Sequence, residues 1–165
     1  MKLPVCEICA YTNNLCQDCK RRLKTGEITE ADVELSRILY SLAKHRNLKD
    51  LVVDRTIYVD NLLLILVEDN PGLLIGRKGI TIKRISEEIG YKIRVIHSRK
   101  PLKDQLLDLV WPIPITGVNE VFSSEGDYLK IRIPKQYANR LPFPKEIIER
   151  AASKLAGKES RIVFE

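Results

Sequence analysis

Four residues, Gly76-Arg77-Lys78-Gly79, constrain this 165-residue chain more than any other stretch. They lie in an apolar frame, with Gly72-Leu73-Leu74-Ile75 before them and Ile80-Thr81-Ile82 after them. Two glycines three positions apart let the backbone turn tightly and present its N–H groups with no Cβ in the way. Both residues between the glycines are cationic. Asn70-Pro71-Gly72 opens a helix of one or two turns that runs into this turn. A second helix leaves it at about Ile80 and reaches Ile89, with Gly90 placed as its C′ residue. Ile82, Ile85 and Ile89 share one face of that helix, while Lys83, Arg84, Glu87 and Glu88 point away. A tight cationic turn between two short helices reads as a phosphate contact.

Charge placement supports this reading. Residues 76–100 hold eight Lys/Arg against two Asp/Glu, an excess equal to the +6 of the whole chain. Residues 51–75 hold one Lys/Arg against four Asp/Glu. A local basic block beside a glycine turn points to an anionic partner. No membrane span is expected, because the longest aliphatic run, 62–67, is six residues and a span needs about 20, and no membrane partner is expected. The first residues lack an apolar signal segment, so the expected location is cytoplasmic.

Around the turn the elements read as an α+β unit. Thr29 is placed as an N-cap, with Glu30 and Asp32 in the first turn of a helix whose Leu35, Ile38, Leu39 and Leu42 recur at helical spacing. Strands follow at about 51–58 and 62–67, joined at Asp60-Asn61 as a hairpin. The second is aliphatic throughout and is expected to be buried on both faces. Residues 91–96 close the unit as a third, half-buried strand. The order is helix, strand, strand, helix, turn, helix, strand, which predicts a three-stranded sheet with helices on one face.

The remaining chain repeats that order more weakly. Pro101 is read at N1 of a helix striped by Leu102, Leu106 and Leu109, and Trp111 as a packing residue between the halves. Strands are expected at 117–122 and 128–133. Pro144 starts a helix that turns Ile147, Ile148, Ala151 and Leu155 inward and ends at Gly157, and a strand closes the chain at 161–164. Gln136-Tyr137-Ala138-Asn139-Arg140-Leu141 stands where a glycine turn would be needed. The expected domains are therefore a cysteine element at 1–28, a complete unit at 29–98 and a degenerate one at 99–165.

All four cysteines fall in two C-x-x-C pairs, Cys6/Cys9 and Cys16/Cys19, with six residues between the pairs. A two-residue spacer lets both thiolates of a pair face one ion, and two pairs supply a tetrahedral site for one structural Zn2+. Disulfides and a thioredoxin-like redox pair are the alternatives. Four protein sulfurs leave no open position, so a zinc site here is structural and not hydrolytic.

Over roughly residues 29–97 the glycine turn, its flanking helices and the following strand resemble the type II KH domain. The paired units resemble the archaeal NusA-like KH proteins. The resemblance implies a groove that clamps about four nucleotides of single-stranded RNA. Ile75, Ile82 and Ile93 would form its floor, and the N–H groups of Gly76 to Gly79 would face phosphate. Arg77, Lys78, Lys83 and Arg84 would add charge, and Lys92, Arg94 and the backbone at 93–96 would meet the bases. It further implies a non-catalytic protein without a small-molecule substrate, acting on ribosomal RNA or nascent transcripts. The alternative is an adaptor whose zinc element docks on RNA polymerase or the ribosome. His45 and His97 lack ligand spacing and read as surface histidines.

Overall fold

The aliphatic run at 62–67 becomes the middle strand of a three-stranded sheet. The computed structural model describes residues 1–165, in two compact units, Met1–Arg99 and Lys100–Glu165. The first unit runs α1 (Glu7–Tyr11), α2 (Gln17–Thr25), α3 (Glu30–Leu42), β1 (Val52–Val59), β2 (Leu62–Asp69), α4 (Pro71–Ile75), α5 (Ile80–Ile89) and β3 (Lys92–His97). β1 and β2 are antiparallel, and β3 lies parallel to β2 on its other side. Every residue of 62–67 is 2% exposed or less, as an unbroken aliphatic strand requires. On the helix face, Leu63, Ile65 and Val67 pack in one cluster with Leu35, Leu39 and Leu42 of α3, Leu74 of α4, and Ile85 and Ile89 of α5.

Asp32 joins this helix layer to the sheet. Thr29 caps α3 through a reciprocal box with Asp32. Oδ2 of Asp32 accepts from the Thr29 backbone N–H at 2.8 Å and from its hydroxyl at 3.1 Å. Oδ1 accepts from the Thr56 backbone N–H at 2.8 Å and from its hydroxyl at 2.6 Å. The residue is 2% exposed. One buried carboxylate thus starts the helix and holds it against β1.

The second unit runs α6 (Leu102–Val110), β4 (Gly117–Val121), β5 (Tyr128–Ile133), α7 (Lys145–Ala156) and β6 (Ser160–Phe164). Its sheet has the strand order and directions of the first, β4 antiparallel to β5 and β6 parallel to β5. Between β5 and α7 there is only a 3-10 turn at Lys135–Tyr137. No residue there has a positive φ, so the left-handed glycine turn has no counterpart. Ile148, Ala151 and Ala152 are the buried residues of α7, while Ile147 and Leu155 are half-buried. One local reading is corrected. Pro101 is the N-cap of α6 and not its first helical residue. Trp111 follows the helix in an extended conformation. No helix is long and apolar enough to cross a membrane.

Replacing Asp32 with alanine would strand the buried donors of Thr56 and break the capping box at Thr29. Asp32→Ala is therefore expected to destabilise the protein by about 2–4 kcal/mol, read from the urea midpoint. A loss below about 0.5 kcal/mol, the ordinary surface range, would contradict the role given to this carboxylate.

Candidate nucleic-acid interface and metal centre

The two glycines of the turn serve different purposes. Gly76 has φ 77° and ψ 173°, a region that only glycine enters readily. A Cβ there would lie 2.3 Å from Thr81 Oγ1 and 2.9 Å from the Thr81 nitrogen. Thr81 cannot yield, since it is 1% exposed and its hydroxyl accepts from Arg46 Nη1 at 3.0 Å. Gly79 is left-handed at φ 75°, and a Cβ there would meet only Ile82 Cγ2 at 3.9 Å. Gly76 thus permits a close approach of backbone to helix, whereas Gly79 supplies conformation alone. Lys78 is left-handed as well, at φ 54°, a costly state for a non-glycine residue and one that clusters at functional sites.

The turn uses the glycine N–H groups itself. Gly76 N–H donates to Gly72 O at 2.9 Å and Gly79 N–H to Gly76 O at 3.2 Å. Ile80 N–H closes onto Arg77 O. Of the N–H groups from Gly76 to Gly79 expected to face a phosphate, the two glycine ones are thus engaged within the turn, and those of Arg77 and Lys78 are left to an incoming anion. Both of these side chains are exposed, as are Lys83 and Arg84. Arg84 Nε lies 3.6 Å from Glu88, which offsets part of its charge.

Beside the turn, α4 and α5 both pack against β3, which pairs with β2 alone and leaves one edge open. Lys92 N–H bonds to Asn61 O and Ser98 N–H to Val67 O. By the alternation of a parallel ladder, the backbone groups of Ile93, Val95 and His97 therefore face the open edge. The register also sorts the side chains. Ile93 pairs with Leu63 on the helix face, while Lys92 and Arg94 pair with Leu62 and Leu64 on the opposite face. Ile82 and Ile93 are partly buried against the core, and Ile75 is 39% exposed. The structure thus brings Ile75, Gly76, Arg77, Lys78, Gly79, Ile82, Lys83 and Arg84 to the helix side of β3, and sets Lys92 and Arg94 on the other side. Arg94 is half-buried, and burial lowers the pKa of its guanidinium from the ordinary arginine value. Arg46, which bonds to Thr81 beneath the turn, and Ile80, 54% exposed, were not singled out from the sequence. The only sequence signal for Arg46 is the polar run Lys44-His45-Arg46 that follows α3.

The four cysteines converge. Cys6 and Cys16 are the N-cap residues of α1 and α2, and Cys9 and Cys19 lie one turn inside each helix. Cys6 Sγ is 3.3 Å from Cys9 Sγ and 4.0 Å from Cys16 Sγ, and all four sulfurs lie within 4.8 Å of one another. A tetrahedral ion with metal–sulfur bonds of about 2.3 Å spaces its sulfurs about 3.8 Å apart, so the cluster can hold one metal ion. Cys16 N–H donates to Cys9 Sγ at 3.1 Å and Cys19 N–H to Cys16 Sγ at 3.4 Å. The Cys19 N–H, followed by the neighbouring Cys9, lowers the Cys16 thiol to about 7. Burial pushes Cys9 up to about 12 and also raises Cys19. Four thiolates cannot share this space without a cation. Cys9 and Cys19 pack in an apolar cluster with Val5, Ala10, Ile28 and Val33 of α3. Lys2 exchanges backbone hydrogen bonds of 2.9 Å with Leu51 and Val53, which stitches the first residues to β1.

A three-stranded sheet with helices on one face, and a glycine-bounded cationic turn beside its open edge, define an RNA-binding module. The sequence matches the KH domain over residues 37–133, and the chain belongs to the KH domain family. KH domains bind RNA, and general RNA binding is what this membership carries. A solved structure titled "Crystal structure of APE1850" is 26% identical to the chain with a TM-score of 0.53, covering 70% of this chain and 88% of that one. No curated protein matches the chain.

The geometry ranks the glycines. Gly76→Ala combines a clash with a disallowed conformation and is expected to cost about 3 kcal/mol or more, whereas Gly79→Ala is expected to cost about 1 kcal/mol. Thermal unfolding of the two variants measures the order, and equal losses would contradict the close approach at Thr81.

Proposed function

We propose that the chain is a non-catalytic protein that holds single-stranded RNA on the helix side of β3, with the phosphates at Arg77 and Lys78. The observation that carries this reading is the strained turn that projects two exposed cations beside an open strand edge. Phosphate contacts at the turn set affinity and register, while the edge groups of Ile93 and Val95 meet base edges. Ile75 and Ile82 supply apolar contact, and Lys83 and Arg84 continue the cationic track along α5. Lys92 and Arg94, on the opposite face, are assigned to RNA that continues past the strand edge and not to the groove floor.

In this reading residues 29–98 are the working KH unit and 99–165 a degenerate copy of it. The shared strand order supports the copy, and the absent glycine turn makes it degenerate. The paired units favour a NusA-like role on nascent transcripts or ribosomal RNA, with RNA polymerase or the ribosome as the assembly. The ion at Cys6, Cys9, Cys16 and Cys19 is read as zinc, which four thiolates in tetrahedral array suit. Four sulfurs would leave no position for a reacting water, so its role is structural.

Arg77→Asp combined with Lys78→Asp is expected to abolish binding to single-stranded RNA while leaving the thermal transition within a few degrees of native. Native binding should weaken steeply with salt, as counterion release requires. Unchanged affinity in the double variant would reject the groove.

Mass measurement of the intact protein is expected to show one zinc per chain, and its removal by a chelator to melt the Cys9/Cys19 cluster along with the packing of α1 on α3. Bound iron, or metal-free protein with an unchanged circular dichroism spectrum, would overturn the zinc reading.

A further inference from the structure

We propose that Tyr11 and Lys44 form a second RNA contact, a base-stacking platform on the cysteine element that receives the strand as it leaves the glycine turn. The inference rests on the groove reading above and extends it to a longer RNA.

α1 is only five residues long, and one side of it is buried at Cys9 and Ala10. Its other side turns Ile8 and Tyr11, three positions apart, into solvent at 70% and 67% exposure. The Tyr11 ring is oriented by an edge-to-face contact with Tyr40, with centroids 5.7 Å apart and planes at 63°. Lys44 Nζ lies over the ring at 5.9 Å, the outer limit of cation–π attraction. The ammonium is therefore held loosely and can move to a phosphate. An oriented, exposed aromatic ring with a mobile cation above it is the arrangement that single-strand binding surfaces use, stacking for the base and charge for the backbone. Beside it opens a cavity of about 410 Å³ lined by Leu3, Val5, Tyr40, Ala43 and Lys44, with Glu7 at its wall. A base entering there would find apolar walls and, at Glu7, an acceptor for a ring N–H such as that of uracil.

The platform is continuous with the turn. Lys44, His45 and Arg46 are consecutive, all exposed, with no carboxylate among them. Lys44 reaches Tyr11, and Arg46 reaches Thr81 under Gly76. The N–H groups of His45 and Arg46 both bond to Leu42 O at 3.0 Å, so the backbone between the two contacts is held. The whole path lies in the compact unit Met1–Arg99. Two cations, Lys44 and Arg46, set between a phosphate-binding turn and an exposed ring favour a polyanion over an apolar peptide segment.

The test compares single-stranded oligouridylates of about four nucleotides, the length a KH groove clamps, and of about ten, by fluorescence anisotropy on the zinc-loaded full chain. The native chain is expected to bind the longer RNA at least tenfold more tightly. Tyr11→Ala and, separately, Lys44→Glu should remove about tenfold of the affinity for the longer RNA, in the range of one lost stack, and leave the shorter one unchanged. Tyr11→Phe should retain native affinity for both. Lys44 is exposed at the end of α3, so its variant decides the matter should Tyr11→Ala lose its metal. Native affinity of both variants for the longer RNA overturns the platform and leaves the groove standing. The same overturning follows if these variants lose a protein partner while RNA affinity is unchanged. If Arg77→Asp with Lys78→Asp leaves both RNA affinities unchanged, the groove reading fails and the platform fails with it.

Discussion

The carboxylate of Asp32 is the interaction on which the first unit depends. Its two oxygens accept four hydrogen bonds, two from Thr29 and two from Thr56. The first pair begins α3 and the second attaches it to β1. Everything functional is then arranged along α3. Leu35, Leu39 and Leu42 cover the sheet, Val33 and Tyr40 face the cysteine element, and the segment after the helix reaches the glycine turn through Arg46. Displacing the start of this helix would move the metal cluster and the turn together.

The glycine turn is in turn held by its surroundings. Its backbone needs three residues at positive φ, Gly76, Lys78 and Gly79, and such a conformation persists only where packing over-determines it. The buried Thr81, bonded to Arg46, closes one side, and the turn's own hydrogen bonds close the other. The second unit shows the contrast. With the same strand order it has no positive φ between β5 and α7, so its connector lacks the left-handed turn, although Lys135 and Arg140 within it are exposed.

Much of this was legible because it is local. Thr29 and Asp32 announce a helix start within four residues. The unbroken run at 62–67 can only be a buried strand or helix segment, and the turn at Asp60-Asn61 decides between them. The C-x-x-C spacing brings sulfurs together across one turn of chain. Gly90 and Gly157 end their helices in the left-handed conformation expected of them. What was not legible depends on partners distant in sequence. Strand alternation separates Lys92 and Arg94 from Ile93, but that Ile93 takes the helix face follows from the register of β3 on β2, thirty residues away. The use of the glycine N–H groups follows from the turn's own closure. Arg46 meets Thr81, and Tyr11 meets Tyr40 and Lys44, across intervals that no periodicity spans.

The sequence by itself determined the kinds of element, the place of the cationic turn, the four-sulfur set and the family to which the chain belongs, because each of these is written in residues a few positions apart. Only the tertiary structure decided which face each side chain occupies, which donors stay available, and that the cysteine element and the glycine turn share one helix. Those outcomes depend on burial and hydrogen bonding between segments tens of residues apart, and that energy is settled only once the sheet has set their register.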